Sequence, residues 1–171
     1  MRAVQNGDLA AFEQIVLRHQ ASAWNTACRF LNDPAEAEDV AQDAFLRILD
    51  AAPRYQPTAR FKTYLLRIVT HLCLDRIRKK HPLYTASLPD APAAGQSPAD
   101  QLQVKERNQQ VRAALEQLPP SQRLALTLRY DEELGYQEIA VVMQTTPKAV
   151  ERLLARGRRA LASLLPVKHE T

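Results

Sequence analysis

The stretch YQEIAVVMQTTPKAVERLL, residues 136–154, decides how the rest of this chain is read. Apolar residues recur at helical spacing on both sides of Gln144-Thr145-Thr146. Thr146 can cap a second helix with its side-chain oxygen, and Pro147 suits a first helical turn because its missing N–H is not needed there. Two helices that cross steeply need a small residue where they touch, and Ala140 supplies one. Ile139 and Met143 are expected to face inward from the first helix, Val150 and Leu153 from the second. Gln144 stands where a glycine would best tolerate a positive φ. The pattern is that of a helix-turn-helix.

In a DNA-binding version the start of the second helix enters the major groove. The exposed candidates are then Thr146, Lys148, Ala149, Glu151, Arg152, Ala155 and Arg156. Arginine can take guanine with two hydrogen bonds, and glutamate can accept from cytosine. Thr146, Lys148, Arg158 and Arg159 are better placed for phosphates. A helical hairpin with a solvated basic face is the plainer alternative.

Working outward, Pro82 to Gln101 reads PLYTASLPDAPAAGQSPADQ. Prolines remove backbone donors and disfavour helix before them, so residues 82–101 are expected to be a flexible linker. Fully stretched, it would reach about 60 Å, more than one major-groove repeat. Residues 1–81 and 102–171 then form two small helical domains, and the fold class is all-α. In the first, Asp8 caps a helix from Leu9 with Phe12, Ile15, Val16 and His19 inward, continuing through Trp24, Cys28 and Leu31. Asp33-Pro34 opens the next, which buries Ala37, Val40, Ala41, Ala44, Phe45 and Ile48. After a loop at 53–59 comes a long helix with Phe61, Leu65, Ile68 and Leu72 in register, ending in Arg76-Ile77-Arg78-Lys79-Lys80. In the second domain, helices are expected at about Leu102–Leu118, Ser121–Tyr130, Tyr136–Met143 and Thr146–Leu165.

The 23 Lys and Arg against 19 Asp and Glu leave +4, so distribution matters more than the total. Acid gathers between Asp33 and Asp50, base at Arg76 to Lys80 and at Lys148 to Arg159. Glu36, Asp39 and Asp43, with Gln42 beside them, share one side of a helix. No histidine stands at metal spacing there, so no metal or other cofactor is expected. A solvated face and a docking face for a basic partner both fit. Tyr55, Arg60, Phe61, Lys62, Tyr64, Arg67 and His71 interleave rings with cations, the chemistry that stacks and holds single-stranded DNA. Cys28 and Cys73 read as reduced core thiols. No apolar run approaches membrane-spanning length, and no signal pattern opens the chain, so a cytoplasmic protein without membrane insertion is expected. No nucleophile elbow or phosphate loop marks a catalytic residue, so no enzyme is expected.

Taken together these residues resemble the sigma-70 family of transcription initiation factors, specifically its short extracytoplasmic-function (ECF) group. AFEQIVLRHQ at 11–20 looks like the start of sigma region 2. DPAEAEDVAQDAFLRIL at 33–49 looks like the acidic polymerase-binding helix. RFKTYLLRIVTHLCLDRIRKK at 60–80 resembles the helix that melts and reads the −10 element. ALEQLPPSQRLALTLRY at 114–130 and the helix-turn-helix look like region 4, which reads the −35 element. The resemblance implies a subunit that binds core RNA polymerase, through the β′ clamp helices and the β flap, and directs promoter recognition and opening. Glu36, Asp39, Gln42 and Asp43 would meet polymerase. Tyr55, Arg60, Lys62, Tyr64, Arg67, His71, Arg76 and Arg78 would serve the −10 strand, with loop 53–59 cradling a flipped base. Thr146, Lys148, Glu151, Arg152, Ala155, Arg156 and Arg159 would serve the −35 duplex. It also implies an anti-sigma partner. The chain departs from the family where Tyr64 replaces a frequent Trp, His71 a frequent Asn, and Glu151 and Leu153 frequent basic residues. A free-standing helix-turn-helix regulator is the alternative, although the chain has no evident dimerisation heptad.

Overall fold

Each helix begins and ends where local chemistry allows it. In the computed structural model, which describes the backbone of residues 1–80 and 104–165 and side chains of 1–79 and 110–165, a short α1 (Arg2–Gln5) precedes α2 (Leu9–Leu31). The Asp8 carboxylate accepts from the Ala11 amide at 2.9 Å, satisfying a donor that the helix itself leaves unpaired. Asn32 closes α2 in the left-handed region, φ 55°, and its N–H donates to Cys28. One residue on, Asp33 accepts from the amides of Ala35 and Glu36, and Pro34 opens α3 (Pro34–Ala51). A single 3-10 turn, Ala52–Arg54, leads through the loop to α4 (Phe61–Lys80).

Helices α2, α3 and α4 pack on one another. Ala23, Ala27, Ala37 and Ala44 are wholly buried at these contacts, where small side chains let helix backbones approach. Phe30, Val40, Ile48, Leu65, Leu66, Val69 and Leu72 fill the rest of this core. The six residues expected to be buried on α3 are buried. Cys73 is buried too, and desolvation pushes its thiol up to about 12, so it is an inert core group.

The second unit comprises α5 (Val104–Glu116), α6 (Pro120–Tyr130), α7 (Tyr136–Met143) and α8 (Pro147–Leu164). The α7–α8 turn follows the expectation closely. Gln144 has φ 51°, Thr145 N–H donates back to Ala140, and Thr146 Oγ1 caps α8 through the Ala149 amide at 3.2 Å. Its core phase differs by one residue on each helix. Val142 and Leu154 are buried, while Met143 and Leu153 are only half-buried. The cause is that α7 is covered by α4 as well as by α8, and α8 lies against both α6 and α7, so each faces more than one neighbour. At Gly157 a Cβ would come within 2.9 Å of Leu126 Cδ1, which fixes how closely α8 lies on α6. The Pro-rich stretch 82–101 lies outside the described residues.

The two units touch. Helix α4 packs against α7, and α2 against α6. This explains why burial on α4 reaches beyond one stripe: Thr63, Leu65, Leu66, Val69, Thr70, Leu72 and Cys73 are all buried, whereas Phe61 and Ile68 are half-buried. Sandwiched helices need not be one-sided.

Candidate docking and nucleic-acid surfaces

The acidic face stands on the outer side of α3. Side chains of Asp39 and Asp43 are 67% and 50% exposed, so both remain available to a partner. Gln42 is exposed beside them and donates to Glu38. Arg76 reaches into this face from α4, 3.5 Å from Asp39 and 3.3 Å from Asp43, and also donates to the Glu36 carbonyl. Next to the acids an open groove of about 740 Å³ runs between α2 and α3, lined chiefly by Phe12, Val16, Trp24, Phe45 and Leu46. Trp24 and Leu46, 38% and 59% exposed, are large apolar groups left in solvent. Periodicity identified Trp24 as a helical apolar position but not as groove-facing.

The start of α4 gathers aromatic rings. Tyr55 and Tyr64 lie 5.1 Å apart, Phe61 and Tyr64 6.5 Å, and His19 and Phe61 5.0 Å, all tilted. Burial, Arg18 and Lys62 together hold His19 below the ordinary imidazole value, so its ring is neutral near pH 7. Gln5 of α1 donates to the Tyr55 carbonyl at 2.7 Å and pins the loop. Arg60, Lys62 and Arg67 flank Phe61 and Tyr64 in sequence: Arg60 and Arg67 are exposed and Lys62 is half-buried. His71 is half-buried further along the helix. Arg76 and Arg78 are elsewhere. Sixteen residues of helix separate Arg60 from Arg76, roughly 24 Å at the usual rise. Arg78 pairs with Asp75 at 3.6 Å. The cations and rings expected on one strand-binding surface therefore divide into a cluster at the start of α4 and a pair at its end.

On α8, Thr146, Lys148, Glu151, Arg152, Arg156 and Arg159 are exposed, and Ala155 is half-buried. Arg159 donates to the Ala155 carbonyl within the helix. Their side points away from the buried side of the helix, marked by Val150, Leu154 and Gly157.

Sequence reasoning missed the polar seam between the units. The Glu132 carboxylate is buried, accepts from Ser22 and Thr26 on α2, and pairs with Lys62 Nζ at 2.9 Å. Lys62 also donates to the Glu132 carbonyl. Glu138 accepts from Gly135 N–H, stapling the start of α7, and from Thr63 Oγ1 at 3.2 Å, with Arg60 3.9 Å away. Arg29 and Asp131 pair at 2.8 Å, yet burial outweighs the arginine and leaves the Asp131 carboxyl above its usual range. An acidic residue following a helix carries no local signal that it will meet a helix from the other half of the chain. Among the described residues no group of three or more His, Cys, Asp and Glu could hold a metal, and no helix is long and apolar enough to cross a membrane.

Comparison with known proteins agrees with this geometry. Residues 15–82 match sigma-70 region 2, and residues 108–161 match sigma-70 region 4. The chain is 31% identical to the ECF RNA polymerase sigma factor SigW of Bacillus subtilis, over 96% of this chain and 94% of that relative. It is also 31% identical to the RNA polymerase sigma-H factor of Pseudomonas aeruginosa, over 95% and 90% of the two chains. Its fold is similar to that of CnrH in complex with the cytosolic domain of CnrY, with a TM-score of 0.72, 23% identity and 95% and 92% of the chains covered. The sigma factor RpoE bound to the anti-sigma factor NepR, from Bartonella quintana, gives 0.71 at 21% identity over 93% and 99%. The chain belongs to the sigma-70 family of transcription initiation factors, in its extracytoplasmic-function group.

Proposed function

We propose that this chain is a promoter-specificity subunit that binds core RNA polymerase, recognises promoter DNA and assists its opening. The observation that carries this reading is the separation of three chemically distinct surfaces on one small chain: an acidic edge beside an apolar groove, a cation–aromatic cluster at the start of α4, and an exposed basic side of α8. A free-standing regulator would have no use for the first of these, and the family consists of initiation factors rather than enzymes.

In this reading residues 1–81 act as region 2, 82–101 as a linker and 102–171 as region 4. Glu36, Asp39, Gln42 and Asp43 meet the β′ clamp helices. The groove beside them accepts apolar side chains of the same partner, and Trp24 is suited to an interface centre because a buried indole contributes large area. Tyr55 and Tyr64 stack bases of the nontemplate strand while Arg60, Lys62 and Arg67 hold its phosphates. Holding a flipped base offsets an unstacking cost of a few kcal/mol. The protein works in the cytoplasm, where polymerase is, and is held in check by an anti-sigma partner, a reading supported by the similar fold of RpoE in its complex with an anti-sigma factor.

The test is Asp39→Lys/Asp43→Lys. Both side chains are at least half exposed, so the fold should survive and the far-ultraviolet dichroism should match the parent. Co-elution with core polymerase should be lost, and with it promoter-dependent transcription. Undiminished co-elution would remove the docking assignment and the function built on it.

A further inference from the structure

The family resemblance sets Arg76 among the cations that hold the −10 strand, but the fold sends its side chain elsewhere. From α4 it crosses to α3, where Nη1 lies 3.5 Å from Oδ2 of Asp39 and Nη2 lies 3.3 Å from Oδ2 of Asp43. Nη1 also donates to the Glu36 carbonyl at 3.5 Å. The Arg76 side chain is 24% exposed, against 67% and 50% for the two acids, so the cation is the covered partner and the carboxylates stay in solvent. Each acid meets the guanidinium through Oδ2, and a carboxylate has a second oxygen with room for another donor.

We propose that Arg76 is a positioning residue of the docking face: its fork bridges Asp39 and Asp43 and holds both carboxylates ready for polymerase, without touching DNA. This role rests on the reading of that face as the polymerase contact and adds to it a residue from a second helix.

Asp39 and Asp43 stand one turn apart on α3, where like charges repel. Unrestrained, each carboxylate would turn freely in water and would have to be ordered when a partner arrives. That ordering weakens binding, and a group already held in place avoids the cost. A guanidinium suits the task because its donors are fixed in one plane and can meet two oxygens at once, whereas an ammonium is a point charge. The same cation also works against docking, because it repels the basic groups of a partner. The two effects act on different rates. Long-range charge mainly sets how fast partners meet, and short-range fit sets how fast they part.

The experiment follows association and dissociation of the full chain on immobilised core polymerase. Arg76→Gln removes both charge and fork. It should raise the dissociation rate about five- to tenfold, the cost of ordering two side chains afresh, and leave association equal or somewhat faster. Arg76→Lys keeps the aliphatic stem and the charge but cannot bridge in a plane, so its dissociation should still be about threefold faster than the parent's. If Arg76 served only to pack α4 on α3, or only as a charge, Arg76→Lys would dissociate at the parent rate, and that result overturns the proposal. Unchanged or slower dissociation of Arg76→Gln overturns it as well. Promoter-dependent transcription with saturating Arg76→Gln should reach the parent plateau; a lower plateau would return Arg76 to the DNA strand and overturn the assignment. Asp39→Lys/Asp43→Lys in the same binding assay judges the underlying reading. If that variant binds like the parent, the docking face and the role of Arg76 fall together. If it loses binding while both Arg76 variants dissociate at the parent rate, the positioning role alone is wrong.

Discussion

At Gln144 the backbone takes φ 51°, a left-handed conformation in which a Cβ crowds the following carbonyl. Asn32 does the same at the end of α2, but asparagine tolerates it better because its short amide can bond locally. Gln144 has no such compensation, and its side chain is exposed. Gln144→Gly should therefore stabilise the protein by about 1 kcal/mol, read as a higher denaturation midpoint with an unchanged slope. The gain is smaller than the full steric relief because glycine also loosens the unfolded chain. A lower midpoint would mean that the Gln144 side chain makes a contact worth more than the strain.

Among the elements, α8 carries both a packing side and an exposed basic side, the latter proposed to read DNA. Val150, Leu154 and Gly157 bury the first, and capping by Thr146 orients the start of the helix. On the other side Arg156 is exposed and one turn beyond Arg152. Arg156→Ala should weaken −35 recognition by about 1–3 kcal/mol at one base position if it takes a guanine with two hydrogen bonds. Binding of holoenzyme to single-base variants of the site would measure this. Equal loss on every sequence, with a shallower salt dependence, would make it a phosphate contact instead. Glu151 sits on the same side and repels phosphate, so relatives with a cation there are a poor guide to the sequence this helix prefers.

For the whole molecule, charged pairs lie across the contact between its halves, beside the packing of α4 on α7 and of α2 on α6. Such contacts are exchangeable, since water or a polyanion can replace either partner. Arg29 and Asp131 join α2 to the end of α6 at one side of the seam. Arg29→Asp should favour separation of the units by about 1 kcal/mol. The charge-swapped pair Arg29→Asp/Asp131→Arg should restore compactness. The radius of gyration across this four-protein cycle isolates the pair from other effects of each change. Failure of the swap to recover the parent radius would assign the effect of Arg29 to packing.

The helices and their order were legible without coordinates because their causes are local. Asp8, Asp33 and Thr146 cap within three residues of themselves, Pro34 and Pro147 prefer a first turn, and the apolar period of α3 marks its buried side. The acidic, cation–aromatic and basic clusters were legible for the same reason: each lies on one helix or on a helix and its adjoining loop. What tertiary structure alone decided is what those clusters meet. Arg76 joins the acids of α3 rather than the cations of Arg60 and Lys62, because α4 is too long for both ends to share one site. Glu132 finds Ser22 across 110 residues and Lys62 across 70, and no spacing rule extends that far. Caps and periods depend on a few neighbouring dihedrals; a contact across the seam depends on how every intervening helix packs.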